Sequence, residues 1–329
     1  MELIISGYGS KPQTSLALYQ LQKDKLSSME WQDTIEACSF VCQGDGYLFG
    51  ITEAEEYAYV YLYQRVGNQY QFMDQRQLGG SSLCHITYSS KNKALFGACY
   101  GTGTVFSIRV RGDKFGEILF HEKQLGTDLS SVSRAHCVLL NKEENKLIVT
   151  NIALDKIYFY EISDGRLSNT QEINMPMGVG PRHASLSQDE KFLYIITEYS
   201  NEIFVFQNDQ EKQLIQKIAT LTAGYSGISN CSSLCFSKTG AYLYAANRGA
   251  DTISLFAVNE NGKLRKIEEY NCGGKHPRHM IISKDGGSLV VCNQQSDQVI
   301  IYELDIEKGF IKSRASQVSF TSPSGVVEV

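Results

Sequence analysis

Short apolar runs rich in β-branched and aromatic residues alternate along this chain with polar turn clusters such as Ser-Gln-Asp-Glu-Lys, Lys-Thr-Gly and Lys-Asp-Gly-Gly. That is the pattern of short strands closed by turns, and the 3.6-residue spacing of helices is missing. The pattern repeats. The segment from His183 predicts four strands, Ala184–Ser187, Phe192–Thr197, Ile203–Gln207 and Gln213–Thr220. Similar segments begin at His85, His136, Ser233 and His279, with a weaker copy at Cys38.

Successive starts lie 47, 51, 47, 50 and 46 residues apart, a mean step near 48. A repeat of roughly 40–50 residues made of short strands is the signature of a β-propeller, and 329 residues hold about seven such units, within the range that propellers use. The expected fold is therefore all-β, a seven-bladed β-propeller of four-stranded antiparallel blades. Six starts are complete. The seventh blade is expected from the two ends: Glu2-Leu-Ile-Ile and Ser15-Leu-Ala-Leu-Tyr19 match second and third strands, and Ser324-Gly-Val-Val-Glu-Val329 matches a first strand. Pairing them closes the ring without an exposed sheet edge and makes residues 1–329 one domain.

Antiparallel order puts the start of each first strand and the end of each second strand on one rim. The start carries Cys38, His85, His136, His183, Ser233 and His279; fifteen residues on stand Glu53, Tyr100, Asn151, Glu198, Arg248 and Gln294. This rim is where chemistry is expected. Arg182 precedes His183, and Arg278 precedes His279, so cations gather beside the Glu198 carboxylate and several imidazoles. Such a cluster is costly to desolvate unless it serves a ligand. His85 and His279 have a blander reading as residues that cap a strand or fill a turn.

Composition narrows the function. The chain is 42% hydrophobic with a net charge of −5, and it lacks the basic stripe that nucleic acid requires. It has no long apolar run, and Met1 leads directly into a strand, so neither a membrane nor a signal peptide is expected and the location read from the sequence is cytoplasmic. Nine cysteines is an odd number, and most alternate with apolar residues inside strands; they read as reduced, buried thiols. The spacings Cys38/Cys42 and Cys231/Cys235 do not suit a structural zinc site, and no metal or other cofactor is expected. Gly7-Tyr-Gly9 and Gly101-Thr-Gly103 lack the helix that a phosphate loop needs and read as hairpin turns. Asn230-Cys-Ser232 is a glycosylation acceptor in form only.

Gly180-Pro-Arg-His183, Glu198, Tyr244-Ala-Ala-Asn-Arg-Gly249, Gly273-Gly-Lys-His-Pro-Arg-His279 and Asn293-Gln-Gln-Ser-Asp297 together resemble the seven-bladed propeller lactonases, a family that includes a bacterial 6-phosphogluconolactonase and the fungal 3-carboxy-cis,cis-muconate cyclase. The resemblance spans essentially the whole chain. It implies that His136 is the catalytic histidine and that Arg182, Glu198 and Arg248 complete a catalytic quartet. The sequence departs from the family pattern at Arg134, where a histidine is usual, at Asn151, where aspartate is usual, and at Thr197, where asparagine is common.

Lactone opening needs a base for the attacking water and cations for the oxyanion. Imidazole titrates near neutrality, so His136 suits the first task; Arg182 and Arg248 suit the second, or could hold a phosphate or carboxylate. Glu198 either orients these groups or is itself the base. His85, His183, Arg278, His279, Asn151 and Gln294, on the same rim, are expected to bind substrate. The expected activity is a metal-independent lactonase acting on a small anionic sugar lactone or sugar acid, with 6-phosphogluconolactone first among candidates. Cyclisation of a muconate-like polycarboxylate and a catalytically silent binding propeller stay open, since this fold hosts unrelated functions.

Overall fold

The three turn clusters noted above each end a strand in the computed structural model, which describes residues 1–10, 12–22, 25–126 and 131–329. In the 183 segment the strands are Pro181–Leu186, Phe192–Thr197, Glu202–Gln207 and Leu214–Ala219, within three residues of expectation at every end. Seven four-stranded sheets result. Six are antiparallel meanders in chain order, spanning residues 41–78, 83–123, 135–174, 181–219, 230–271 and 277–319. In the seventh, Pro323–Glu328 pairs with Glu2–Gly7, followed by Leu16–Gln22 and Lys25–Asp33. The chain is a seven-bladed β-propeller whose last blade joins its two ends. No helix among the described residues is long and apolar enough to cross a membrane.

The chain divides into two compact units. One holds Arg182–Glu328 with Met1–Ile5 and Tyr19–Ser28; the other holds Met29–Pro181 with Ser6–Leu18 and Val329. Within each, neighbouring blades share their cores. Phe49, Leu62, Phe106 and Phe115 interleave the 41–78 and 83–123 blades, while Tyr244, Ile253, Met280 and Ile300 do the same for the 230–271 and 277–319 blades. Second strands are buried on both faces, as Leu193–Thr197 shows, whereas fourth strands such as Arg166–Asn174 are largely exposed. Each fully buried Phe or Leu contributes about 1.5–3 kcal/mol, so the interleaved layers dominate cohesion within each unit.

A second device ties blade to blade within each unit. The residue before several third strands is Asn or Asp with positive φ: Asp155 (50°), Asn201 (53°), Asp251 (55°) and Asp297 (51°). These short polar side chains tolerate the left-handed region and reach the segment entering the next blade. Asp155 accepts from the Gly178 and Gly180 amides (2.6 and 2.7 Å), Asp251 from the His276 amide (2.7 Å), and Asp297 from the Ser322 amide (2.7 Å). Asn201 instead donates to the Ser229 carbonyl (2.8 Å). In the 83–123 blade the same place is Gly103 (φ 72°), where a Cβ would lie 2.0 Å from Ser133 Oγ. There the entering segment packs directly on the turn.

Asp251→Ala removes a carboxylate that binds the His276 and Gly249 amides and leaves alanine at φ 55°. Charged hydrogen bonds and left-handed strain together predict a loss of about 2–4 kcal/mol in urea unfolding. An unchanged midpoint would show that the clamp holds nothing.

Candidate active site

The first strands are not regular at the point where chemistry was expected. The ladder between first and second strands slips there in four blades: between Leu83 and His85, Ala135 and Cys137, Cys231 and Leu234, and Pro277 and His279. A bulge leaves a residue out of the ladder and re-aims its side chain. The bulged residues are Cys84, His136, Ser232 with Ser233, and Arg278. Arg182 follows Pro181 as Arg278 follows Pro277.

This pairing corrects the repeat alignment. His85 and His279 lie opposite Ala98 and Cys292, the places that match Thr150, which faces Cys137. His136 therefore corresponds to Arg278 and Cys84, one residue earlier than the histidines with which it was aligned. Asn151 is out of step by the same amount. It pairs with Lys156 as Asn247 pairs with Thr252 and Asn293 with Gln298, so the counterpart of Arg248 and Gln294 is Ile152. Asn151 is wholly buried. Its amide donates to Gln124 Oε1 (2.8 Å) and Ser133 Oγ (2.9 Å), and its oxygen accepts from the Arg134 and Leu154 amides, which leaves no donor for a ligand.

In the Arg182–Glu328 unit, three of the expected residues meet. Glu198 Oε2 accepts from Arg182 Nε (2.8 Å) and pairs with Arg248 Nη2 (3.0 Å). Their side chains are 18%, 3% and 8% exposed. Backbone carbonyls on the bulged strand hold both guanidinium groups: Arg182 Nη1 donates to Ser232, and Arg248 donates through Nε to Asn230 (3.3 Å) and through Nη2 to Cys231 (3.0 Å). Arg248 Nη1 and Glu198 Oε1 engage no protein partner among the described residues. Burial pushes the Glu198 carboxyl up, but Arg182 and Arg248, with Arg278 adding to them, outweigh it and hold the group below the usual carboxylate range. Glu198 is ionised at neutral pH. Burial and the like charge of Arg278 lower Arg248, with Glu198 opposing them.

One participant escaped the sequence reading. His276, at φ 62° with its amide clamped by Asp251, is held down to about 4 by burial, then by Arg248 and Arg278. Its imidazole is therefore neutral at pH 7. Its only sequence signal is its place in Gly-Gly-Lys-His-Pro, ahead of the strand, because its relation to Arg248 arises in folding. Gln294 opens a single 3₁₀ turn, and its amide donates to the His276 carbonyl (3.1 Å). His183 is buried behind Arg182 in the sequence.

His279 takes the structural role. Its Nδ1 accepts the Val326 amide of the following first strand (3.3 Å), and burial with Arg182 and Arg278 lowers it to about 4. His85 in the other unit does likewise: Nδ1 accepts the Val138 amide (3.4 Å), and its ring lies on Phe40 at 4.2 Å. His136 belongs to that unit and is buried, with its ring edge-on to Tyr100 at 6.1 Å. The Arg134 guanidinium lies over the same Tyr100 ring, 4.5 Å from its centroid.

Among the described residues no group of three or more His, Cys, Asp or Glu is placed to hold a metal ion. The cysteines form no disulfide, and burial pushes the Cys38, Cys99, Cys231 and Cys235 thiols up to about 12.

A β-propeller with two buried arginines, one entering a first strand and one ending a second, that share a single carboxylate defines the class. The chain belongs to the lactonase family of seven-bladed β-propellers, whose model matches residues 2–328. It is 27% identical over 286 residues to the 6-phosphogluconolactonase of Bacillus subtilis, covering 84% of this chain and 82% of that protein. An uncharacterised protein of Staphylococcus epidermidis is 26% identical over 314 residues, 92% of each chain. Among solved structures, the periplasmic gluconolactonase of Pseudomonas aeruginosa superposes with a TM-score of 0.91 at 23% identity, covering 99% of this chain and 98% of that one.

Glu198→Gln removes the one carboxylate shared by two buried arginines and should cost about 2–4 kcal/mol at pH 7. Because the folded-state pKa lies below the ordinary one, that difference is present above the usual glutamate range and fades as pH falls through it; equal stability at pH 7 would refute the pairing. His276 and His279 act between about 4 and the ordinary histidine value of 6.5. The folded state binds fewer protons there, so the urea midpoint should fall as pH drops from 6.5 towards 4. His279→Gln, which keeps an acceptor for Val326, should flatten that slope; an identical slope would mean His279 titrates normally.

Proposed function

We propose that this protein is a metal-independent lactonase that opens a small anionic sugar lactone, acting as a single domain in the cytoplasm. The observation that carries the reading is the buried pair Arg182 and Arg248 sharing one carboxylate. A surplus of buried positive charge is unfavourable unless an anion or developing oxyanion balances it. Arg248 Nη1 is the donor with capacity left, and donors fixed before reaction stabilise an oxyanion without reorganisation.

Roles follow from the charges. Glu198, ionised and tied through Oε2 to both guanidinium groups, is a weak base and an effective orienter of them. In this reading His136 takes the proton from water, because imidazole is the side chain suited to that task near neutral pH; His276, held near 4, accepts or donates a hydrogen bond without becoming charged. Ring opening then proceeds by attack of water on the lactone carbonyl carbon, passage of its proton to imidazole, charge build-up on the carbonyl oxygen against arginine, and collapse that breaks the ring carbon–oxygen bond as the imidazolium returns that proton to the departing ring oxygen. Support for a sugar lactone comes from the B. subtilis relative, and thiols without disulfides suit a reducing compartment.

Purified protein added to freshly generated 6-phosphogluconolactone should accelerate ring opening above the spontaneous rate. Arg248→Ala should lower kcat/KM by about 10²–10³-fold, as removal of an oxyanion donor does, and His136→Ala should lower kcat with the melting temperature retained. If phosphorylated, carboxylated and uncharged lactones all open at the spontaneous rate, the activity is not lactone hydrolysis.

A further inference from the structure

Arg134 carries five N–H donors, and among the described residues none of them meets a carboxylate, a carbonyl or an amide oxygen. Its guanidinium lies over the face of Tyr100, 4.5 Å from the ring centroid. The other cation–ring contacts differ. Arg65 and Lys156 lie 6.0 and 5.9 Å from their tyrosines and are otherwise engaged, Arg65 with the Gly67 carbonyl and Lys156 with Glu172. Among the described residues Arg134 makes the closest stack of the three, and its fork meets none of these acceptors.

Its position is also fixed from behind. The Arg134 amide donates to Asn151 Oδ1 (3.0 Å), and its carbonyl accepts the Ile152 amide (2.9 Å). Asn151 is pinned by Gln124 and Ser133, and Ser133 packs against Gly103, where a side chain would collide. Tyr100 follows Cys99, which pairs with Thr104 as Asn247 pairs with Thr252. Tyr100 therefore occupies the repeat place that Arg248 occupies in its own blade. Its ring meets the bulged His136 edge-on. A guanidinium held over an aromatic face by cation–π attraction keeps its N–H donors available, and that fork matches the two oxygens of a carboxylate or phosphate.

We infer that Arg134, held on Tyr100, is an anion receptor that recognises a phosphate ester or carboxylate on the molecule bound beside His136 and so determines substrate specificity. Only the identity of that molecule as a lactone rests on the function proposed above. Tyr100 is a positioning residue, acting through the orientation it gives Arg134.

Calorimetric titration of wild type and Arg134→Met with 6-phosphogluconate, gluconate and inorganic phosphate tests this directly, with far-UV circular dichroism and thermal melts as folding controls. Losing a charged, bidentate contact should weaken 6-phosphogluconate by about 10- to 100-fold. Equal weakening of gluconate assigns the carboxylate; weakening of 6-phosphogluconate and phosphate alone assigns the phosphate ester. Arg134→Lys, which keeps charge without the fork, should recover part of the loss and covers the case in which the methionine variant does not fold. Tyr100→Phe should bind as wild type does, and Tyr100→Leu should weaken binding less than Arg134→Met. In lactone hydrolysis the ratio of kcat/KM for phosphorylated over uncharged lactone should fall by the same 10- to 100-fold. Unchanged dissociation constants in both Arg134 variants, or a wild type that binds none of the three probes, overturn the receptor. A wild type that hydrolyses no lactone but whose binding depends on Arg134 overturns the lactonase reading and leaves the receptor standing.

Discussion

The paired arginines depend on a backbone requirement: the turn before several third strands passes through left-handed space, and in four of them an Asn or Asp there reaches the chain entering the neighbouring blade. Cross-strand pairing alone would leave that entering segment a loop, because its amides fall outside the ladder. Asp251 turns it into a fixed platform by holding the His276 amide, two residues ahead of Arg278. The same carboxylate also receives the Gly249 amide, just beyond Arg248. One side chain thus sets the approach of two arginines.

The bulges supply the second half of the arrangement. A regular strand would send alternate residues into the inter-blade core and give the rim little to work with. Releasing one residue from the ladder lets a charged or titratable group stand at the strand entrance while the apolar alternation resumes directly afterwards, as it does at Met280 and Val138. Carbonyls of Asn230, Cys231 and Ser232, at the edge of the irregular pairing, accept from the guanidinium groups of Arg248 and Arg182. The irregularity is therefore part of how buried cations are tolerated: each gains neutral acceptors as well as its share of Glu198.

Much of this was legible in the chain because the blade is a short-range object. Turn clusters and apolar runs locate Phe192–Thr197 without error, and the terminal fragments identify a shared blade because each matches a different strand of the repeat. What was not legible was register near the bulge. A residue that leaves the ladder carries no mark in the sequence, so histidines align by identity, and His136 was set beside His85 and His279 although it corresponds to Arg278. Asn151 inherited that displacement and is a buried hydrogen-bonding post. The pairing of Arg182 with Glu198 and Arg248 followed from motif order, whereas His276 lies in a turn whose proximity to the arginines exists only after blades pack. The blander reading of His85 and His279 describes the bond each makes to the next strand.

The bulged position also bears on how such a protein can change. Cys84, His136 and Arg278 stand at one geometric place with three unrelated side chains, and the strands that carry them are otherwise alike. Exchange at that place alters reactivity while the ladder, the alternating core and the turns persist. Ancestry and chemistry are in this sense stored in separate residues, so a lineage can wander through new substrates by single codon changes at the strand entrances without first having to reinvent a foldable chain.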